Sequence, residues 1–189
     1  MLSMIRYCNS CGATVTRLIP AGDTMLRHVC SLCGHIHYEN PRMIVGCIAE
    51  WSGKILLCRR AIEPRKGFWT LPAGFMENGE TTAQAAKRET LEESGATVEI
   101  DQAFAMFNMA EINQVHLFYR GKLSSPSYAA GEESLEVALF LPENIPWKTL
   151  SFESVHHCIA LYLKDRDAGS FNFHEAELSA LESHSASQE

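Results

Sequence analysis

No stretch of the 189-residue chain approaches the roughly 20 consecutive apolar residues that a bilayer-crossing helix requires. The opening residues, MLSMIRYCNSC, also lack the apolar centre and small-residue cleavage site of a secretory signal. These absences set the expectation of a cytoplasmic protein with no membrane partner. Positive charge is scarce as well. The formal net charge is -7, which excludes a general electrostatic attraction to nucleic acid. From Arg6 to Glu39 there are three arginines and no lysine against Asp23 and Glu39, too little to hold a phosphate backbone. No repeat occurs beyond two short cysteine motifs, and no aromatic residue follows Phe173. What remains, 46% hydrophobic and 21% charged residues, is the composition of a globular domain that can bury a core.

Of seven cysteines, four form matched pairs: CNSCG, with Cys8 and Cys11, and CSLCG, with Cys30 and Cys33. Two C-x-x-C knuckles separated by a hairpin-length segment place four thiolates at the corners of a tetrahedron, the arrangement of structural zinc. Gly12 and Gly34 suit the tight turn after each knuckle. His35 or His37 could replace one cysteine as a ligand. Cys47, Cys58 and Cys158 lie in apolar runs and read as core residues.

The segments MIVGCIAEW and KILLCRR predict two strands joined at Ser52-Gly53, a short hairpin signal. A helix follows GFWTLPAGFMENGE, with Thr81 as N-cap, Gln84 three residues on, and Gly95 just past the end. Strands are expected in TVEIDQAFAMFN, INQVHLFYRGKL and EVALFL, and an amphipathic helix in SFESVHHCIALYLKDR. The organisation expected is a zinc ribbon over 1–39, a main domain over 40–168 and a polar tail over 169–189, frayed from about Phe173.

The first helix ends with Glu89, Glu92 and Glu93 on one face, at the negative end of its dipole. Each like-charged neighbour pair costs roughly 0.2–0.5 kcal/mol, so a cation is expected there. Oxygen donors without histidine or thiolate select a hard ion, Mg²⁺ or Mn²⁺. Such ions polarise phosphorus, acidify a bound water and stabilise a leaving oxygen. The plainer alternative is a solvated acidic face in which Arg88 pairs with Glu92 at i+4.

That alternative must also absorb a pattern. Gly74, Glu80, Arg88, Glu89, Glu92, Glu93, Gly95 and Ala96 match G-x5-E-x7-R-E-U-x-E-E-x-G-U, a coincidence on the order of once in 10⁸ placements for average composition. The segment resembles the box of the Nudix hydrolases, with Thr90 standing where an aliphatic residue is usual. The ribbon, YENPR, GFWTLPAG and the later GEESLEVALF and ENIPW extend the likeness to the zinc-ribbon members, specifically the FAD and ADP-ribose pyrophosphatase type of plants and bacteria. The resemblance implies an α/β fold: an α/β/α sandwich on a mixed sheet, preceded by a small zinc ribbon. It further implies hydrolysis of a nucleoside diphosphate linked to another group, with a nucleotide-sugar or dinucleotide as substrate partner.

By position, the resemblance makes Glu89 a metal ligand or general base oriented by Arg88, with Glu92 and Glu93 as further ligands. Glu80 orients the water or holds a metal through it, and the carbonyl of Ala73 supplies another ligand. A distal glutamate is drawn from Glu132, Glu133 or Glu136. The NADH-pyrophosphatase array SQPWPFPxS is absent, and no proline occurs between Gly74 and Ser125. FAD therefore leads over ADP-ribose, with NADH or an NAD-type RNA cap as the alternative substrate and a non-catalytic nucleotide-sensing module as the alternative class. Trp69 and Phe107, with Phe68, Phe104 and Tyr119, could stack on a base, and Arg59, Arg60, Arg65 or Lys66 could meet phosphate. Adjacent strand residues point to opposite faces, so only one of Arg59 and Arg60 can face the substrate. Glu136 is the remaining candidate substrate contact, and a homodimer is the oligomer considered.

Overall fold

The computed structural model describes residues 5–179, so residues 180–189 of the expected tail lie outside the described residues. The chain divides into two compact units between Pro41 and Arg42. In the first, β1 (Val15–Leu18), β2 (Arg27–Cys30) and β3 (Ile36–His37) form a three-stranded antiparallel sheet in the order β1-β2-β3. The knuckles sit at its ends. Cys8 lies 3.8 Å from Cys33, and Cys11 lies 3.4 Å from Cys30 and 3.5 Å from Cys33, Sγ to Sγ. A tetrahedral ion with bonds of about 2.3 Å requires edges of about 3.8 Å, so the four sulfurs fit zinc. His35 and His37 stack edge-on against each other outside the thiol cluster. Amides of Cys33 and Leu32 donate to Cys30 Sγ and draw its thiol down to about 6, towards the thiolate that a metal binds. Purified protein should carry one zinc per chain by elemental analysis. Cys11→Ser should lose it and melt earlier, because in such small units binding free energy is folding free energy.

The second unit is built on a mixed sheet. Its strands are β4 (Arg42–Trp51), β5 (Lys54–Arg60), β6 (Trp69–Thr70), β7 (Ala73–Phe75), β8 (Val98–Met109), β9 (Gln114–Leu123), β10 (Ser134–Phe140) and β11 (His174–Glu177). The order is β10-β5-β4-β9-β8-β11, with β6 beside β5 and β7 beside β4. The β4–β5 hairpin turns through Ser52 and Gly53 at φ of 49° and 79°, the paired positive values of a tight twisted turn. β4 is buried on both faces and its side chains divide by parity. Val45, Cys47 and Ala49 join Ala85 and Ala86 of the helix α1 (Thr82–Ser94). Ile48 joins Phe104, Phe107 and Phe118 against Val155 and Ile159 of α2 (Glu153–Ala168). The result is the α/β/α sandwich.

Two features position the site. β4 pairs with β5 only at Glu50–Ile55 and Trp51–Lys54, while further back its edge is taken by β7 at Ile44–Phe75, Val45–Gly74 and Gly46–Ala73. The sheet thus opens between β4 and β5. α1 starts on a reciprocal cap, Thr81 Oγ1 accepting from the Gln84 amide and Gln84 Oε1 from the Thr81 amide, and stops at Gly95, φ 62°. Thr90 is fully buried on this helix, and its hydroxyl donates to the Ala86 carbonyl at 2.7 Å, so a polar residue serves in an apolar position. Among the described residues no helix is long and apolar enough to cross a membrane.

The expectation of fraying from about Phe173 needs correction for the described residues. After Gly169, Asp165 accepts from the Asn172 amide at 2.9 Å and from His174 Nε2 at 2.8 Å. This clamp turns the chain back, and β11 adds to β8 in parallel, His174 beside Ala105 through Glu177 beside Asn108.

Candidate active site

Arg88 organises the acidic helix. Its Nε and Nη2 donate to both oxygens of Glu80 at 3.1 and 2.7 Å, a bidentate pair. Nη1 donates to Glu89 Oε1 at 2.7 Å and to Glu92 Oε2 at 3.0 Å, and Nη2 reaches the Phe75 carbonyl at 3.1 Å. Glu80 also accepts from the Glu77 amide at 2.7 Å, and these bonds hold its carboxyl below the usual range. One guanidinium therefore fixes three carboxylates and the end of β7.

Glu89 and Glu93 are the buried pair. Burial raises the carboxyl of Glu89 despite the Arg88 bonds, and burial with the charge of Glu89 pushes Glu93 up to about 8. Gly74 makes room for them. A Cβ at Gly74 would sit 2.4 Å from the Glu89 carboxylate atoms, so this backbone must stay bare for the side chain to lie against it. The loop before β10 closes the site from the other side: the amides of Ala129 and Gly131 donate to the carbonyls of Ser94 and Glu93, at 2.8 and 3.1 Å. This docking satisfies the last turn of α1 and carries Glu132 and Glu133 to the site.

All of this opens into a cavity of about 900 Å³. Glu89, Glu92, Glu93, Glu132, Glu133 and Arg88 line one part, and Ala73 and Gly74 lie beside them. Among the described residues, the tight clusters of potential ligand atoms, all within 4.8 Å, are the four cysteines and Glu153 with His156 and His157. The box carboxylates are spaced more widely. Their all-oxygen character, the burial of Glu89 and Glu93, and the excess of carboxylates over the guanidinium groups of Arg88 and Arg60 fit hard divalent ions rather than one compact zinc centre.

The other predicted contacts separate. Arg60 lines the cavity, its Nε donating to the Pro64 carbonyl and its guanidinium lying 5.1 Å from the Phe152 ring. Arg59 points the other way and pairs with Glu136 at 3.5 Å outside the cavity, so neither is a cavity contact. Phe107 is fully buried between sheet and α2, as is Phe104, and neither can stack on a ligand. Trp69 packs edge-on against Phe140, away from the cavity. Tyr119 bonds Thr82 through its hydroxyl at 2.6 Å, and Phe68 stacks under Arg65. The aromatic wall is instead Phe75 and Phe152, with Ile44, Met109 and Ile112, backed by the almost fully buried Phe118. Polar residues overlooked in the sequence are Gln114, His116 and Ser154. The alternation of Gln114, His116 and Phe118 along one strand was their only signal.

The model of the Nudix N-terminal zinc ribbon matches residues 6–39, and that of the NUDIX domain matches residues 40–158. The chain belongs to the Nudix family. The crystal structure of a Nudix hydrolase from Nitrosomonas europaea is 47% identical, with a TM-score of 0.90 over 93% of this chain and 99% of that one. An ADP-ribose pyrophosphatase from Methanocaldococcus jannaschii is 28% identical over 62% of this chain and 72% of its own length. The NAD-capped RNA hydrolase NudC of Stutzerimonas stutzeri is 28% identical over 87% of this chain, which spans only 58% of that protein. The protein is accordingly a Nudix hydrolase. Enzymes of this family use Mg²⁺ or Mn²⁺, and the cysteine cluster of its ribbon suits structural zinc.

Proposed function

We propose that this Nudix hydrolase splits the diphosphate of an ADP-linked compound, of the ADP-ribose, NAD or FAD kind, releasing AMP. The observation that carries the reading is the continuity of one cavity from the buried carboxylates to an apolar, aromatic-walled chamber, which suits a diphosphate joined to a planar base. The names of the archaeal and NudC relatives favour ADP-ribose and NAD-type compounds. FAD shares their adenine and diphosphate, and the missing SQPWPFPxS array keeps it in the comparison.

Glu89, Glu92, Glu93 and the Ala73 carbonyl would hold the divalent ions, and Glu133, whose charge is felt by both Glu89 and Glu93, is the preferred distal carboxylate. Bound there, such ions would supply charge neutralisation at the diphosphate and a lowered pKa for an attacking water. Arg88 occupies Glu89 Oε1, leaving Oε2 to receive a proton from that water. Glu80 acts through Arg88, holding its fork in plane. Arg60 meets the phosphate charge, its stem fixed by Pro64 and Phe152. No side chain forms a covalent intermediate.

The test is a Mg²⁺-dependent panel of ADP-ribose, NADH, FAD and an NAD-capped RNA, with products identified. AMP is expected from each small substrate that is cut, and reaction in ¹⁸O-water should label one phosphate product and leave the protein unlabelled. Binding of these compounds without any turnover, with every divalent ion tried, would instead support a sensing module.

A further inference from the structure

The polar residues of the chamber form a chain. His116 lies on β9 facing Ser154, the second residue of α2, and is almost fully buried, as is Ser154. Its Nδ1 is 2.9 Å from Ser154 Oγ, and its Nε2 is 3.0 Å from Gln114 Oε1. With the Gln114 amide oxygen placed towards the ring, His116 Nε2 carries the proton. Burial pushes the ring down to about 4, so it is neutral at ordinary pH, its Nδ1 accepts, and Ser154 must donate. With the amide in this orientation the bonds run one way, Ser154 to His116 and His116 to Gln114.

The consequence falls on the Gln114 amide, which borders the cavity. A free carboxamide can turn over and exchange its oxygen for its nitrogen, whereas this one is held with its oxygen towards His116. It keeps two N–H donors and, on that oxygen, one unused lone pair. A donor beside an acceptor is the complement of a 6-aminopurine edge, which offers an exocyclic N–H next to a ring nitrogen. A 6-oxopurine presents a carbonyl where that N–H would be, and only a reversed amide could follow the change.

Register supports the reach. On β4, Arg42 pairs with Gln114 and Gly46 with Phe118, while Gly46 also faces Ala73. Four residues of strand, about 13 Å, separate the Gln114 row from the Ala73 row beside the carboxylates. That is the scale of a nucleoside carrying its diphosphate.

We infer that Gln114, locked in one orientation by His116 and Ser154, reads adenine at the base end of the cavity, with His116 and Ser154 as positioning residues. The inference rests on the function proposed above, which supplies the purine. It is tested by kcat/KM for ADP-ribose and for its hypoxanthine counterpart, together with calorimetric affinities for AMP and IMP that do not depend on turnover. Wild type should favour adenine on the order of 10- to 100-fold. Gln114→Ala should bring that ratio close to one, the loss falling on KM for the adenine substrate rather than on kcat. His116→Phe keeps an aromatic ring but frees the amide to turn, so it should improve use of the hypoxanthine substrate relative to adenine. Ser154→Ala, which frees the tautomer, should do the same more weakly. Equal affinity of wild type for AMP and IMP, or an undiminished preference in Gln114→Ala, would overturn the inference. Preference for AMP without hydrolysis of either substrate would uphold it and refute the proposed reaction instead.

Discussion

Glu93→Gln should reduce turnover by more than about 10²-fold while making the metal-free protein more stable. The activity loss should exceed the 10- to 100-fold typical of residues that only support a metal ligand, because the substitution removes the charge of a proposed ligand itself. The stability gain follows from burial. Glu93 is raised from 4.5 to about 8, so the neutral form is the one that the folded state accepts. As pH rises through 4.5 the unfolded chain ionises first, and stability is lost progressively until about pH 8, where folded and unfolded forms are both charged. A shift of that size corresponds to an upper bound of about 5 kcal/mol, with each kcal/mol worth about 2–4 °C in a chain of this size. Thermal melts in chelator should therefore show wild type falling from pH 5 to pH 8 and Glu93→Gln falling less. Mg²⁺ should raise the wild-type melting temperature most at pH 8, by linkage to the ionised folded state. A wild type whose melting point without metal is flat across this range, or a variant of undiminished activity, would return Glu93 to an ordinary buried acid.

Two glycines should behave in opposite ways. At Gly74 a methyl group would collide with the end of the Glu89 side chain, a part that can swing aside. Gly74→Ala should thus fold almost normally and lose on the order of 10²-fold in kcat, the penalty expected for misplacing a reacting group by about 1 Å. At Gly131 the methyl group would lie 1.8 Å from the carbonyl oxygen of Glu92, which is helix backbone and cannot yield. Gly131→Ala should lower the melting temperature and detach the loop that carries Glu132 and Glu133. Circular dichroism melts beside single-turnover rates separate the two cases. If Gly74→Ala unfolds, or Gly131→Ala is silent in both measurements, the packing described for that glycine is wrong.

What the sequence reveals divides along physical lines. The acidic helix was legible because its signals are local: a cap at Thr81, a stop at Gly95, and carboxylates at spacings that only a helix brings together. The β4–β5 hairpin was legible for the same reason. Zinc spacing is likewise a matter of short intervals, and the four sulfurs meet. The aromatic wall of the cavity was not legible. Phe107 and Phe75 are both large strand aromatics, yet one is sealed under α2 and the other stands exposed at the cavity. That difference is set by where α2 and the opening of the sheet fall, not by composition. The choice between Arg59 and Arg60 needed the register of β5, and the choice among Glu132, Glu133 and Glu136 needed the loop docked on α1. β11 escaped notice because its residues, HEAE, carry almost no strand propensity and are recruited by the clamp at Asp165.

That short parallel strand also has a protective meaning. β8 is twelve residues long, and without β11 the amides and carbonyls around Ala105–Asn108 would stand open, a template on which another chain could pair. β11 fills this row with a segment too short and too acidic, with Glu175 and Glu177, to recruit a neighbour in turn. Its hold depends on the His174–Asp165 pair and on Phe171 packed against Phe104 and Tyr162. The last described segment of the chain therefore acts as a guard against aggregation, and damage to a single clamp far from the glutamates would be felt first as loss of solubility rather than of catalysis.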